Sequence, residues 1–298
     1  MQRSSHDLGG LVRRIRAAFP DLVFGEARLA ASGEDHDVVL LDEAWVFRFP
    51  KTPEQAAWFP GEVRLTGALA GSASIATPDY RLVAHDGSFG GYPAIQGEPM
   101  SLADFLRAPR RIQERLVDDV AELLKVLHSL PPSLLSLPNG PRTNRSWAAE
   151  AVGYYRDHAR RRLSEHLEPA FLGRLDAFHA AYLERPWPSE TIIHGDLREA
   201  HLFLDANLRL EGVIDFGDAV VGDPAYDFTW FWMLGDWAPA HALARYGDPD
   251  PGLLERSRWS FARYAAGRLA LAVSGDSRYS PDALRVSLDR HLSDLGFA

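Results

Sequence analysis

Ile192-Ile-His-Gly-Asp-Leu-Arg-Glu-Ala-His-Leu-Phe-Leu-Asp205 continues through Gly212-Val-Ile-Asp-Phe-Gly-Asp218, and the architecture is read most directly from these residues. The pair Ile192-Ile193 is an apolar strand, and Asp196 follows it on a loop. His201 lies five residues on, at the mouth of the next short strand. Asp205-Ala-Asn207 has the composition of a hairpin turn, and Asp215 ends the return strand before Phe216-Gly217. Such a hairpin brings Asp196, His201 and Asp215 to one end of a sheet. The set suits phosphoryl transfer, whose transition state is stabilised mainly by positioning and charge. One carboxylate can accept the proton of an acceptor hydroxyl, and a second can bind Mg²⁺, a cation that prefers hard oxygen ligands.

Working outward, residues 7–19 read as an amphipathic helix, with Leu8, Leu11, Val12 and Ile15 on one face. Within 22–50, Val38-Val39-Leu40-Leu41, the turn Asp42-Glu43 and Trp45-Val46-Phe47-Arg48-Phe49 predict a hairpin. A helix over 54–69 and short strands bracketed by Thr77-Pro78-Asp79 and the glycines near Gly87 complete a mixed region. Beyond it, Ile112, Leu116, Val120, Leu123, Leu124 and Leu127 recur at spacings of three and four, which predicts a helix over 110–130. Pro and Gly make 130–141 a loop, and further helices fit 147–166, 168–184 and 251–275. The expected class is α+β: a small antiparallel-sheet lobe over residues 1–95 and a larger, mainly helical lobe over 96–298.

Composition narrows the function. The 298 residues hold 32 Lys and Arg against 41 Asp and Glu, for a formal charge of −9. This balance argues against a general nucleic-acid binder, which needs clustered cations to neutralise phosphate. With no cysteine, thiolate nucleophiles, disulfides and Cys-based metal sites are excluded. The opening Met1-Gln-Arg-Ser-Ser-His-Asp7 lacks a signal-peptide core, and no charge-free apolar run is long enough to span a bilayer. The expectation is a cytoplasmic protein without a membrane or nucleic-acid partner.

His194-Gly195-Asp196 and Ile214-Asp215-Phe216-Gly217-Asp218, with Gly222-Asp-Pro-Ala-Tyr-Asp227 after them, resemble the catalytic and metal-binding loops of the aminoglycoside phosphotransferase family. The resemblance implies a two-lobed protein-kinase-like fold and a small-molecule kinase using Mg²⁺ with ATP or GTP. It implies Asp196 as catalytic base and Asp215 as principal Mg²⁺ ligand. His201 stands where most kinases carry a metal-binding Asn. That departure resembles the branch of aminoglycoside 2″-phosphotransferases and macrolide phosphotransferases. A neutral His offers nitrogen to a cation better served by oxygen, which implies a weaker or water-mediated second contact.

Ala31-Ser32-Gly33-Glu34-Asp35-His36 resembles the family's nucleotide loop, with one glycine where a full Gly-rich loop has two or three. Arg48 lies where kinases place the strand lysine, Lys51 competes for the phosphates, and Glu62 on the next helix matches the ion-pair partner. Ala94 and Ile95, within Gly91-Tyr-Pro-Ala-Ile-Gln-Gly97, fall where backbone groups would meet the nucleotide base. Asp236 and Trp237 are candidate acceptor contacts, as are the acidic residues Asp248 and Asp250. Plainer readings stand beside these: loop fixing for Asp223 and Asp227, helix burial for Trp230-Phe231-Trp232, and a solvated helix face for the arginines of 156–162. The expected acceptor is a small-molecule hydroxyl on an aminoglycoside, with a macrolide or an endogenous alcohol as the alternative. A catalytically silent nucleotide-binding protein is the rival from another class, resting on Arg48, His201 and the sparse glycine loop.

Overall fold

The computed structural model describes residues 7–30, 35–137, 140–143, 146–188, 191–247, 250–276 and 280–298. The chain packs as two compact units: Met1–Arg142 with His194–Ala219, and Thr143–Ile193 with Val220–Ala298. Residue 95, the lobe boundary read from the sequence, falls inside the first unit.

The first unit is built on an antiparallel five-stranded sheet. Its elements are α1 (Leu8–Ala18), β1 (Ala27–Leu29), β2 (His36–Leu41), β3 (Trp45–Pro50), α2 (Pro53–Ala70), β4 (Leu82–Val83) and β5 (Gly90–Pro93), with strand order β1-β2-β3-β5-β4. The β2–β3 hairpin pairs Leu41 with Trp45 and His36 with Pro50, as the alternating sequence predicts. Alternation sends successive side chains of β3 to opposite faces. Phe47 and Phe49 pack with Leu11 and Ile15 of α1, Val39, Leu41 and Phe89. On the other face Val46 joins Phe59 and Val63 of α2 with Tyr80 and Tyr92, and Arg48 sits two residues along. The start of α2 is fixed by a capping box, in which Thr52 Oγ1 accepts from the Gln55 amide and Gln55 Oε1 accepts from the Thr52 amide.

After β5, β6 (Glu98–Pro99), α3 (Leu102–Arg107) and α4 (Arg110–Ser129) follow. The later hairpin Leu202–Leu204 with Leu210–Val213 pairs antiparallel, and β6 adds to its free edge, with Pro99 opposite Phe203. This junction leaves no room at Gly97. Its φ is +100°, and a Cβ there would lie 2.5 Å from the Leu204 carbonyl oxygen. Gly97→Ala should therefore cost about 2 kcal/mol or more. Denaturant midpoints of the two proteins check this, and an unchanged midpoint would refute it.

The second unit is mostly helical, with α5 (Trp147–Tyr154), α6 (Arg160–Ser164), α7 (Pro169–Glu184), α8 (Trp237–Tyr246), α9 (Leu253–Ala272) and α10 (Pro281–Asp294). The single helix expected over 147–166 is interrupted. Tyr155–Ala159 forms a π turn between α5 and α6, which brings Tyr155 into a stack on His179 with ring centroids 3.6 Å apart. Trp230, Phe231 and Trp232 are buried on a 3₁₀ segment, Pro224–Leu234, rather than on an α-helix. Three helices escaped the sequence reading: α3, α8 and α10. Strands Thr191–Ile193 and Val220–Gly222 pair antiparallel in this unit. Among the described residues no helix is long and apolar enough to cross a membrane.

His179 and His291 are buried in this unit, and burial lowers each from 6.5 to about 4. Neither ring nitrogen of His291 finds a partner among the described residues, and its ring faces Trp232 and Phe261. Between these pH values the unfolded chain binds protons that the folded chain does not. Each histidine's contribution is therefore full above about 6.5 and lost as pH falls toward 4. His291→Leu should flatten the acid-side fall of the thermal midpoint, measured calorimetrically across that range. A variant curve parallel to the wild type would exclude His291 as a cause.

Candidate active site

Arg48 is the hub of the buried charges in the first unit. Its Nη1 donates to Glu62 Oε1 at 2.7 Å, and its Nη2 donates to Asp215 Oδ1 at 2.8 Å. Only a planar fork can serve two carboxylates on different elements in this way. Tyr80 donates its hydroxyl to Glu62 at 2.9 Å. Burial pushes the Glu62 carboxyl up, while Arg48 and Tyr80 oppose it. Lys51, the competing cation, lies 3.3 Å from Asp37.

His36 was not singled out by sequence, yet its Nδ1 lies 3.2 Å from Arg48 Nη2. Burial first, then the Arg48 charge, lowers it to about 3, so the ring is neutral at physiological pH. The hairpin register carried the signal: Val38 opposes Arg48, so His36, two residues before Val38, shares Arg48's face.

The hairpin loops bring the motif residues together. His194 locks the two loops, with Nε2 donating to the Ile214 carbonyl at 3.0 Å and Nδ1 accepting from the Asp196 amide at 3.3 Å. His201 Nδ1 donates to the Asp196 carbonyl at 2.8 Å, and its Nε2 accepts from Arg198 Nε at 3.2 Å. Burial lowers His201 to about 4, so it is neutral at physiological pH. Its Nε2 also lies 3.3 Å from Asp215 Oδ2, with the Arg198 N–H already on its lone pair. Asp215 holds left-handed backbone, φ 68° and ψ 58°, where the chain turns from its strand into Phe216–Asp218. Burial raises its carboxyl, but Arg48 and the neighbouring histidines outweigh that and hold it at about 2.

Asp196 is different. Burial pushes it up to about 6, against Arg198 and His194. Its Oδ2 lies 3.2 Å from Arg198 Nε and 3.8 Å from His201 Nδ1. The site thus pairs a firmly ionised carboxylate with one poised nearer neutrality, a separation suited to different roles in proton and charge chemistry. Asp218 lies 3.7 Å from Arg142, whose Nη1 also donates to the Gly217 carbonyl.

Among the described residues no three His, Asp or Glu side chains cluster to hold a metal alone. Asp215, firmly ionised, fits the ordinary protein share of a Mg²⁺ site, which draws its remaining ligands from phosphate and water, whereas His201 Nε2 is a nitrogen already accepting from Arg198 and fits less well.

The other candidates are less engaged or lie elsewhere. Ser32, Gly33 and Asp248 fall outside the described residues. The Ala94 amide donates to the Ala44 carbonyl at 2.8 Å, and the Ile95 side chain packs where a Cβ on Gly212 would intrude. In the helical unit Asp236 pairs with Arg290, and Trp237 begins α8 against the His241 ring. Asp223 caps Ala225 and pairs with Arg256 at 2.7 Å, and Arg256 also reaches Asp250.

A sheet-borne cation tied to a helix carboxylate, followed along the chain by a loop aspartate and a hairpin-end aspartate, defines the protein-kinase-like class of phosphotransferases. Residues 26–259 match the model of the phosphotransferase enzyme family, APH. The chain belongs to that family. It is similar to an aminoglycoside 2'-phosphotransferase-IIIa solved as a GDP complex, at 22% identity and a TM-score of 0.74, with 97% of this chain and 99% of that one covered. It is similar also to a type I macrolide 2'-phosphotransferase, at 23% identity and a TM-score of 0.61, covering 97% and 99%. At these identities the likeness is one of fold. A 62-residue segment is 39% identical to the uncharacterized protein YcbJ of Bacillus subtilis (strain 168), and the match spans 20% of each chain.

Proposed function

We propose that this chain is a small-molecule kinase that transfers the γ-phosphoryl group of a nucleoside triphosphate to an acceptor hydroxyl. The observation that carries this reading is the linked set Glu62–Arg48–Asp215–His201–Asp196, joined through contacts of 2.7 to 3.8 Å within one unit. In this reading Asp196 orients the acceptor hydroxyl and takes its proton as the oxygen attacks phosphorus. A carboxylate raised toward neutrality yet still ionised at pH 7 suits a general base. Arg48, held by Glu62, presents positive charge to the phosphates. Asp215 would be the principal holder of Mg²⁺, with His201 a weaker or water-mediated second contact, and the bound ion would neutralise charge on the phosphate oxygens.

Aminoglycosides are the first acceptor class to test and macrolides the second, because the chain shares its fold with phosphotransferases of both. The GDP bound by the similar aminoglycoside phosphotransferase is the reason to offer GTP beside ATP. The test is phosphate transfer with Mg²⁺, each nucleotide being offered separately against both panels and against simple sugars and amino alcohols. Transfer that depends on Asp196 supports the reading. Tight nucleotide binding with no transfer to any acceptor and no nucleotide hydrolysis would overturn it in favour of a silent binding protein.

A further inference from the structure

A cavity of about 280 Å³ lies wholly within the helical unit, large enough for a molecule of one or two rings. Trp147, Tyr154, Tyr155, Tyr182 and Tyr226 line it, together with Arg263. The lining includes Tyr155 and Ala159 of the π turn, a rare local geometry frequent at functional sites. None of these residues belongs to the phosphoryl-transfer set.

Arg263 is the informative one. Its Nη2 donates to the Tyr226 hydroxyl at 3.2 Å, and its guanidinium stands 5.6 Å from the Tyr226 ring centre. Its Nε is buried and has no hydrogen-bond partner among the described residues, while the guanidinium also engages the Tyr182 side chain. Two other arginines withdrawn from the surface carry carboxylates: Arg48 has Glu62 and Asp215, and Arg256 has Asp223 and Asp250. Arg263 has none within ion-pair distance among the described residues. A guanidinium whose protein partners are tyrosine hydroxyls rather than carboxylates, standing beside open space, is matched by an incoming carboxylate.

We propose that this cavity binds a small planar aromatic carboxylate, its ring among Trp147, Tyr154 and Tyr155 and its anionic group on Arg263. The ring faces supply a stacking surface, and the charge-assisted hydrogen bonds select the anion. Glu150, exposed in the same lining, sets a negative charge against a second anionic group. The proposal stands whether or not the chain proves to be a kinase.

The test is isothermal calorimetry on the full chain without nucleotide, using naphthalene-2-carboxylate, naphthalene-2-methanol and naphthalene-2-methylammonium. The carboxylate should bind about tenfold or more tighter than the alcohol, with the ammonium weakest. Arg263→Gln should abolish the preference and leave the alcohol's affinity unchanged, with circular dichroism confirming the fold. Tyr154, 43% exposed, tolerates truncation, so Tyr154→Ala should weaken carboxylate and alcohol together and serves if the Arg263 variant does not fold. Equal affinity for alcohol and carboxylate, tightest binding of the ammonium, or no binding of any probe would overturn the proposal. Because no nucleotide is present, a failure here is separate from a failure of phosphate transfer.

Discussion

Asp196→Asn should lower kcat for phosphate transfer by about 10²- to 10⁴-fold, the usual share of a positioned general base. Asn keeps the size of the side chain beside Arg198, so the loop should hold its shape. The His201 contact runs to the Asp196 backbone carbonyl and survives the change. Nucleotide affinity should accordingly stay within a few-fold of the wild type, because the Glu62–Arg48–Asp215 set is untouched. Single-turnover transfer and equilibrium nucleotide binding, measured on the same preparation, separate the two effects. A variant retaining wild-type turnover would remove Asp196 as the base. A variant losing nucleotide affinity in proportion to rate would make it a structural residue.

Arg48→Met should have the largest effect on stability. Glu62 is 5% exposed and its carboxylate accepts from Arg48 and Tyr80, so removing the guanidinium leaves a buried charge with one hydroxyl donor. Breaking one half of such a pair costs about 3–5 kcal/mol. The sign of the pH dependence is a second check. Without Arg48, burial is opposed only by the Tyr80 hydroxyl, so the Glu62 carboxyl, already raised from 4.5, rises further. A folded-state value above the unfolded one gives stability that is present at low pH and lost as pH rises. The variant should therefore lose least near pH 5 and most near pH 8 in denaturant titrations. Arg48→Lys should recover part of the stability but little nucleotide affinity, since one ammonium cannot keep Glu62 and Asp215 in the fork geometry. A uniform loss at every pH would argue against an uncompensated Glu62.

Much of the first unit was legible because its signals are local. The alternation through Val38–Phe49 and the Asp42-Glu43 turn specify the β2–β3 hairpin and its register. The same kind of signal marked the strands that carry Asp196, His201 and Asp215, and the family likeness followed from their order. Helix α10 was also within reach. Ser280 caps it, Pro281 opens it, and Leu284, Leu288 and Leu292 recur every four residues along its buried side. The π turn was not legible, because its cause is the seat of Tyr155 on His179, a residue on a distant helix. Nor was the left-handed backbone of Asp215, since sequence signals that conformation chiefly through glycine. Arg263 escaped for a related reason: a cation lacking a counter-charge is recognised only once its neighbours are known.

The interleaving of the two units bears on how the chain is made. Strand β6 pairs with residues that follow the first segment of the helical unit, and Ala76 bridges to Gly212 across the same interval. A nascent chain that has emerged only as far as residue 142 therefore exposes one edge of β6 with its backbone groups unpaired. The three-stranded sheet of β6 and the later hairpin can close only when the ribosome has delivered Val213, by which time helices α5 to α7 have already been extruded. The five-stranded sheet, whose strands all lie within residues 27–93, can pair before that point, so the first unit is completed in two stages rather than one.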